Sequence, residues 1–426
     1  MLDINFIRQN PEKVKKGCLK KQVDIDINRL LELDEKRIGE LKKIEALRAE
    51  QNKISRQSGG EKGIDESIKR AKALKEKIKE EEERFKTTKG DFDELMFKIP
   101  NLPFDDVPEG KDERGNIVVK KNDRVPNFKF PVRNHLEIGE ELDLIDVKRA
   151  AKVSGTRFGY LKNEAVLLEF ALISFAFDNL VKEGFIPIIP PVLMKPKMLK
   201  AMGYLDTKQD REERYFLEKD DLFLAGTSEQ PIGAMHQGEI LEEKDLPKRY
   251  IGFSSCFREE AGSYGKDTKG ILRVHQFDKV EMFSFCHPEK SKEEHKFLVS
   301  LEEKLIKELK LPYQLVHLCG GDSSRVSAST FDIEVWMPGQ NKYRETNSCS
   351  NCTDFQSRRL NIRYQDSKTN NLEFVHTLNG TVFAIGRILI AIIENYQTAD
   401  GRIEIPDVLT KYLNSKTIPF IPRKKN

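Results

Sequence analysis

Apolar residues recur at helical spacing along the first hundred positions, on a background of lysine, arginine, glutamate and aspartate. The pattern starts at Ile27, is interrupted by Ser58 and several glycines over 58–63, and stops at Pro100. It predicts two amphipathic helices, because steps of three, four and seven place side chains on one helix face. Their apolar positions are Leu30, Leu31, Ile38, Leu41, Ile44, Leu47 and Ile54, then Ile64, Ile68, Ala71, Leu74, Ile78, Phe85, Phe92, Leu95 and Ile99.

Helices of roughly 28 and 35 residues, at about 1.5 Å per residue, exceed a typical globular helix, so we predict that they pair as an antiparallel hairpin. Each has only a narrow apolar stripe, which is typical of a two-stranded coiled-coil seam. For a hairpin taken alone, a dimerisation coiled coil or a solvated spacer is the favoured interpretation. Residues 28–98 hold 19 basic and 17 acidic side chains, so charge alone does not mark this arm as a nucleic-acid binder.

From Phe104 the pattern changes to prolines, short β-branched runs and aromatic residues. It predicts strands over 250–257 and 271–277 with a glycine-containing loop between them, and helices over 163–183 and 382–395. Strands joined by hairpin-like loops, with helices placed late, predict an α+β fold with an antiparallel sheet.

This change of pattern predicts two domains. The first, 1–103, contains the helical arm at about 28–98, and the second, 104–426, is large enough for a full core and a deep ligand site. The formal net charge is only +3, so any contact with RNA must come from local basic patches.

No membrane-spanning helix is predicted. The longest apolar stretches, 170–177 and 382–393, fall short of the roughly 20 residues that cross a bilayer, and Arg387 interrupts the second. The first residues do not resemble a secretion signal, and six scattered cysteines do not suggest a disulfide framework. A cytoplasmic location is therefore expected.

The densest cluster of functional side chains follows the first of these strands. Strand alternation places Arg258 and Glu260 on one face there. By the same rule Arg273, Phe277 and Glu281 share a face on and just beyond the second strand. Such a surface offers guanidinium groups to phosphates, a ring to a base and carboxylates to amino groups. For any single residue a salt-bridged sheet surface is the better interpretation, but for the whole set it is not.

This block, at about 250–283, resembles motif 2 of the class II aminoacyl-tRNA synthetases, in the wording of the bacterial-type seryl enzymes. The segments at about 184–193 and 375–397 resemble motifs 1 and 3. Further matches are Ala225-Gly226-Thr227-Ser228-Glu229, Asp332 to Pro338, Tyr343-Arg344-Glu345 and Ser348-Cys349-Ser350-Asn351-Cys352. The resemblance covers essentially the whole chain and implies a class II antiparallel sheet flanked by helices, preceded by a coiled-coil arm.

The resemblance also implies an activity. The chain would be a ligase that activates serine with ATP and Mg²⁺ as seryl-adenylate and transfers it to the 3′ end of tRNA(Ser), and whether tRNA(Sec) is also charged stays open. It would be a homodimer in which the arm reaches tRNA bound at the partner's active site.

Carried over residue by residue, the resemblance assigns three catalytic residues, which are Arg258, Glu345 and Arg387. The serine-binding residues are Thr227, Ser228, Glu229, Arg258, Glu281, Asn379 and Thr381. The ATP-binding residues are Arg258, Glu259, Glu260, Arg273, Val274, Phe277, Glu345, Thr346, Asn347, Ser348 and Arg387. Glu345 and Ser348 would also hold Mg²⁺, Phe277 would stack on adenine, and Glu281 would bind the serine ammonium.

Two features modify this assignment. Thr381 stands where serine is more frequent and adds a methyl group near the substrate side chain, so strictness against threonine and alanine is not fixed. Cys349 and Cys352 form a CxxC, but a structural zinc needs four ligands and no second pair stands at suitable spacing, so no zinc is expected.

Two other functions remain as alternatives. A synthetase-like paralogue that loads a small amino acid onto a carrier protein would lack the arm. A non-catalytic RNA-binding scaffold would be expected to have lost Arg258, Glu281 or Arg387, and all three are present.

Overall fold

The computed structural model describes residues 1–57, 64–122, 125–261 and 269–418, without the side chains of 55–57 and 64–68. The predicted glycine break over 58–63 and the glycines of the motif 2 loop at 262 and 265 lie outside the described residues. The chain forms two compact units, Met1–Pro100 and Asn101–Asn426. No helix in the described part of the chain combines the length and the apolar character needed to cross a bilayer.

The first unit is helical, with α1 Ile4–Gln9, α2 Pro11–Lys20, α3 Ile27–Gln57 and α4 Ile64–Lys98. The two long helices run antiparallel, because Arg48 pairs with Glu82 at 2.6 Å while Glu50, further along α3, pairs with the earlier Arg70 at 2.9 Å. The predicted helical hairpin is confirmed.

The seam of this hairpin differs from the prediction at one position. Ile44 of α3 and Leu74 and Ile78 of α4 are buried as expected, but Leu41 is 40% exposed. Its neighbour Glu40 is buried instead and accepts a hydrogen bond of 3.1 Å from the Thr88 hydroxyl. One residue turns the helix by about 100°, so placing Glu40 in the seam rotates Leu41 towards solvent.

The second unit contains ten helices and eighteen strands among its described residues. The helices are α5 His135–Glu141, α6 Val147–Ser154, α7 Glu164–Leu180, α8 Pro196–Ala201, α9 Lys208–Glu212, α10 Glu229–Ala234, α11 Ser291–Glu308, α12 Phe355–Leu360, α13 Ile385–Asn395 and α14 Thr410–Leu413. The strands are β1 Ile117–Asn122, β2 Ile145–Asp146, β3 Tyr160–Leu161, β4 Ile186–Ile188, β5 Leu193–Met194, β6 Phe216–Leu217, β7 Leu222–Leu224, β8 Ile240–Leu241, β9 Lys248–Phe257, β10 Gln276–Cys286, β11 Tyr313–His317, β12 Ser329–Met337, β13 Lys342–Asn351, β14 Arg363–Gln365, β15 Leu372–Phe374, β16 His376–Ala384, β17 Ile403–Glu404 and β18 Thr417–Ile418.

Eight strands form the main sheet in the order β1-β11-β12-β13-β16-β10-β9-β4. Neighbours are antiparallel except for β4, which runs parallel to β9 at one edge. Helices α7, α11 and α13 pack on this sheet and share one large apolar core with it. The predicted α+β fold with an antiparallel sheet is confirmed.

Three predicted boundaries are wrong. The second motif 2 strand continues to Cys286, beyond its predicted end at residue 277. The second motif 2 strand begins at Gln276 and not at Ile271, because residues 271–275 make a turn whose apolar side chains are buried outside the ladder. The predicted helix over 382–395 begins only at Ile385, because residues 382–384 complete β16.

Candidate active site

A cavity of about 440 Å³ opens over the central strands of the second unit. It is lined by side chains from β10, β13 and β16, from the loops around β9 and β10, and from the start of α10 and of α13. The sequence-assigned residues in its lining are Thr227, Glu229, Arg258, Glu260, Arg273, Val274, Phe277, Glu345, Thr346, Ser348, Asn379, Thr381 and Arg387. Residues that are distant in sequence thus converge on one concave surface.

Four assigned residues do not line the cavity. Ser228 and Glu281 are buried, and Glu281 forms an ion pair with Lys279, which lines the cavity. The side-chain amide of Asn347 donates to two backbone carbonyls of β16, at 3.1 and 2.6 Å, and so holds β13 beside it. Glu259 donates its backbone N–H to the loop before β6 and is likewise outside the lining.

Strand β10 supplies the floor of the cavity. Its residues Phe277, Lys279 and Glu281 are two apart and therefore share one face. Phe277 lies opposite Cys256 of β9, and Glu281 lies opposite Thr381 of β16. Sequence reasoning named the first and last of these three side chains and passed over Lys279, although the same alternation places it between them.

Arg258 lies beyond the end of β9 and not on it, which corrects the predicted strand position. Its backbone N–H donates to the His275 carbonyl, and its own carbonyl contacts His275 Nδ1 at 2.9 Å, so the two segments clamp each other. Arg258 Nε donates to the Gly226 carbonyl at 3.2 Å, and its Cζ lies 5.2 Å from the centre of the Phe277 ring. The guanidinium group is thereby held over the aromatic floor.

Arg258 and Glu260 both line the cavity as predicted, but strand alternation is not the reason, because both follow the end of β9 and Glu260 has a left-handed backbone conformation with φ of 52°. This turn brings its carboxylate to Arg273, whose Nη1 donates to Glu260 Oε2 at 2.5 Å. Arg273 itself precedes β10 in the turn described above. Both residues line the cavity and are paired with each other.

Two buried carboxyl groups lie at the other end of the cavity, where Glu229 belongs to its lining and Glu281 pairs with the lining residue Lys279. Glu229 accepts hydrogen bonds from the Tyr204 hydroxyl at 2.8 Å and the Gln356 amide at 3.3 Å. Burial and the nearby Glu281 raise the pKa of Glu229 to about 7. Burial also raises the pKa of Glu281, against the opposing effect of Lys279. Tyr204 and Gln356 were not found from sequence because both lie outside the matched segments and meet Glu229 only in the folded chain.

A second pair of acidic residues lies on neighbouring strands, Asp332 on β12 and Glu345 on β13. Arg387 Nη1 is 3.1 Å from Glu345 Oε2. Desolvation acts to raise the pKa of Glu345, but Arg387 and Arg258 outweigh it and hold that pKa below its usual value. Asp332 faces Ser348 across the two strands, and its buried Oδ1 has no hydrogen-bond partner within the described ranges. Burial and the Glu345 carboxylate raise the pKa of Asp332 well above its usual value.

His317, His376 and the two cysteines of the CxxC lie outside the cavity lining. His317 Nε2 is 3.2 Å from the Ser329 hydroxyl, and His376 Nδ1 is 2.8 Å from the Ser291 hydroxyl. Cys349 and Cys352 are both buried and unbridged.

Comparisons with known proteins give the same family for both units of the chain. Residues 1–103 match the family described as "Seryl-tRNA synthetase N-terminal domain", and residues 214–396 match "tRNA synthetase class II core domain (G, H, P, S and T)". A serine–tRNA ligase of Dictyoglomus turgidum is 43% identical over 423 residues, which cover 98% of this chain and 99% of the relative. The chain belongs to the seryl-tRNA synthetase family. The resemblance drawn from the motifs is confirmed.

Solved structures of seryl-tRNA synthetases share the fold. The enzyme from Pyrococcus horikoshii, complexed with ATP, is 40% identical with a TM-score of 0.90, and the match covers 100% of both chains. The cytoplasmic serine–tRNA ligase of Naegleria fowleri, in complex with AMP, is 34% identical with a TM-score of 0.87 over 98% of both chains. The class II fold and the helical arm are thus those of a seryl-tRNA synthetase.

Proposed function

We propose that the cavity joins serine to ATP as seryl-adenylate, with release of pyrophosphate, and that the seryl group then passes to the 3′ end of tRNA(Ser). The observation that carries this proposal is the order of groups along the cavity floor. An aromatic ring with a guanidinium group above it lies at one end, and buried carboxyl groups lie at the other. An adenylate needs a stacking surface, cations for phosphate and anions for an ammonium in that order.

The adenine and phosphate end uses four residues. Phe277 stacks on adenine, Glu260 accepts from its amino group, and Arg273 and Arg387 bind the β- and γ-phosphates. Because Glu260 and Arg273 are paired in the free protein, both change partners when ATP binds. The P. horikoshii relative was solved in complex with ATP, which supports ATP as a ligand of this chain.

Activation of serine requires its carboxylate to attack the α-phosphorus while the bond to pyrophosphate breaks. Arg258 is placed to bridge the carboxylate and the α-phosphate, where negative charge is greatest. Transfer of this kind depends on positioning and charge neutralisation more than on a general base. A cavity rich in arginine and glutamate therefore suits it.

The amino-acid end selects serine through polar contacts. Glu281 and Glu229 bind the ammonium, and Thr381, whose hydroxyl donates to Glu281 Oε2 at 3.3 Å, faces the serine hydroxyl. Alanine would leave these buried groups unpaired, which disfavours it far more than a missing methylene would. The methyl group of Thr381 narrows the pocket against threonine.

Glu345 and Ser348, with Asp332, would hold Mg²⁺. The donor set is two carboxylates and a hydroxyl, which are the hard oxygen ligands that Mg²⁺ prefers. The buried, unpartnered Oδ1 of Asp332 fits a cation at this place. When bound, the ion neutralises phosphate charge and orients the nucleotide.

The remaining assignments concern assembly. We propose that residues 1–103 bind tRNA and that the α3–α4 arm recognises the shape of the tRNA, contacting its backbone through local basic patches. We further propose that the protein is a cytoplasmic homodimer in which the arm of one subunit contacts tRNA bound at the active site of the other. The match of these residues to a seryl-tRNA synthetase N-terminal domain supports the arm and argues against a carrier-protein ligase without one. The intact set of Arg258, Glu281 and Arg387 argues against a degenerate scaffold.

Exchange of labelled pyrophosphate into ATP tests the activation step. Serine should drive exchange, and R258A should lower its rate by about a thousandfold, because a preorganised charge at the reacting centre is removed. R402A, which changes an arginine paired with Asp400 on the surface, should leave the rate unchanged. Faster exchange with alanine or threonine than with serine would contradict the proposal.

A further inference from the structure

The ammonium group of Lys279 contacts the residues that are proposed to bind the ammonium group of serine. Its Nζ lies 2.5 Å from Glu281 Oε2 and 3.2 Å from the Thr227 hydroxyl. The side chain of Lys279 is only 10% exposed and that of Glu281 only 1%, so the pair is largely shielded from water. Glu281 Oε1 has no hydrogen-bond partner in the part of the chain described, so Lys279 is the cation that the carboxylate has in this state.

Its position on the strand gives Lys279 a second possible partner. Residues two apart on a strand are about 6.6 Å apart along one face. Lys279 is therefore one such step from Phe277, assigned to adenine, and one step from Glu281, assigned to the serine ammonium. The α-phosphate and the serine carboxylate lie between adenine and ammonium in seryl-adenylate, which places them over Lys279.

We propose that Lys279 changes partners when serine binds: the substrate ammonium replaces it on Glu281, and the released lysine turns to the α-phosphate and the attacking carboxylate. This inference rests on the proposed function of the cavity. No bond is made or broken in the exchange, and every charge keeps a partner throughout.

Charge balance gives the physical reason for the exchange. Serine brings one ammonium and one carboxylate into a shielded site, where an unpaired charge is strongly destabilising. If Lys279 stayed on Glu281, the lysine and the substrate ammonium would compete for that carboxylate. The second cation would then be left with Glu229, whose pKa is raised to about 7 and which is therefore partly protonated near neutral pH. If the Lys279 side chain turns away from Glu281 towards Phe277, its ammonium group meets the serine carboxylate and the α-phosphate instead. Binding of serine should therefore raise the affinity for the α-phosphate, which is a coupling between two ligands.

Calorimetric titration with α,β-methylene-ATP, which cannot release pyrophosphate, measures this coupling in the full-length protein. Saturating serine should tighten binding of the analogue by about tenfold, within the usual range of such couplings. 2-Aminoethanol, which has the ammonium and hydroxyl but no carboxylate, should also tighten it. 3-Hydroxypropanoate, which has the carboxylate and hydroxyl but no ammonium, should not. Equal effects of the two fragments on the unaltered protein would overturn the proposal.

Two variants provide an independent test of the proposal. K279M should lose the coupling by serine, whereas K248M, which removes a lysine of β9 outside the cavity, should keep it. A K279M protein that retains tenfold coupling would refute the exchange of partners. The titrations with 2-aminoethanol and 3-hydroxypropanoate use the unaltered protein, so they test the proposal even if K279M does not fold. Serine-dependent pyrophosphate exchange without any coupling would reject the role of Lys279 alone, whereas absence of exchange would reject the proposed function itself.

Discussion

Glu302 and Glu303 are neighbours on α11 with opposite surroundings. Glu302 is fully buried, and neither carboxylate oxygen has a hydrogen-bond partner among the residues described. Burial raises the pKa of its carboxyl group well above the usual value. The Glu303 carboxylate instead accepts from the Tyr313 hydroxyl at 2.5 Å and from Lys120 Nζ at 3.0 Å. One glutamate is an unpaired polar group in the core, and the other is anchored.

Substitution by methionine should therefore have opposite effects at the two positions. We expect E302M to raise the free energy of unfolding by about 1 to 3 kcal/mol, because an unpaired buried polar group is removed. E303M should lower it by a similar amount, about 1 to 3 kcal/mol, because Tyr313 and Lys120 lose their partner. A raised folded-state pKa contributes stability that is lost as pH rises, so the gain from E302M should grow with pH. Urea unfolding at two pH values measures both, and destabilisation by E302M would contradict the expectation.

The raised pKa of Glu229 has a kinetic consequence. Because burial and Glu281 bring this pKa to about 7, Glu229 is partly protonated in the free enzyme near neutral pH. A bound ammonium favours the ionised form, so the KM for serine should fall as pH rises through that value. E229Q should raise the KM and remove this step. Pyrophosphate exchange measured across the range provides the test, with E239Q, a surface change, as the variant that keeps the step.

At the scale of elements, the spacing of apolar residues predicted a helix or strand correctly where a single periodicity dominated the segment. The α3–α4 hairpin and the shared face of Phe277 and Glu281 follow directly from spacing. The start of β10 did not, because Ile271 and Leu272 are apolar for packing outside the ladder and look the same in sequence as strand residues. Likewise the run through Val382 is apolar across the end of β16 and the start of α13, so periodicity could not divide it.

Contacts made by isolated residues between distant segments could not be predicted. Tyr204 and Gln356 reach Glu229 from elements that carry no motif, and Asp332 gains its role only when β12 pairs with β13. A single sequence holds no signal for such pairs. The motifs therefore indicated part of the cavity lining, whereas the lining residues Tyr204 and Lys279 were missed and the supporting hydrogen bonds required the fold.

The arm is the element whose function can be separated from catalysis. Replacing residues 28–98 by a short glycine-serine linker should leave serine-dependent pyrophosphate exchange within about twofold of the original, because no cavity residue lies there. Aminoacylation of tRNA should fall by about a hundredfold or more, because backbone contacts that position the nucleic acid are lost. Equal loss of both activities would count against an RNA-binding arm.

At the scale of the whole molecule, one edge of the main sheet is suited to a second copy of the chain. Ile189, directly after the edge strand β4, is 79% exposed, and Phe170 on α7 is 60% exposed. We expect I189D to dissociate the proposed homodimer to a single 49.2 kDa chain in light scattering, because a charge would be buried in an apolar contact. I117D, on the strand at the opposite edge, is the control. A dimer that survives I189D would place the interface elsewhere.

The edge strand and the serine site lie on a single row of the sheet. Ile188 of β4 is in register with Gly252 of β9, which is opposite Glu281 of β10, which in turn is opposite Thr381. We expect a shift of the edge strand to be passed through the backbone hydrogen bonds of this row to Glu281 and Thr381, two of the side chains assigned to serine. If the edge is ordered by a second chain, dilution should slow each active site without altering any residue in it. The rate would then rise more steeply than in proportion to enzyme concentration, with the protein acting as one of its own reactants.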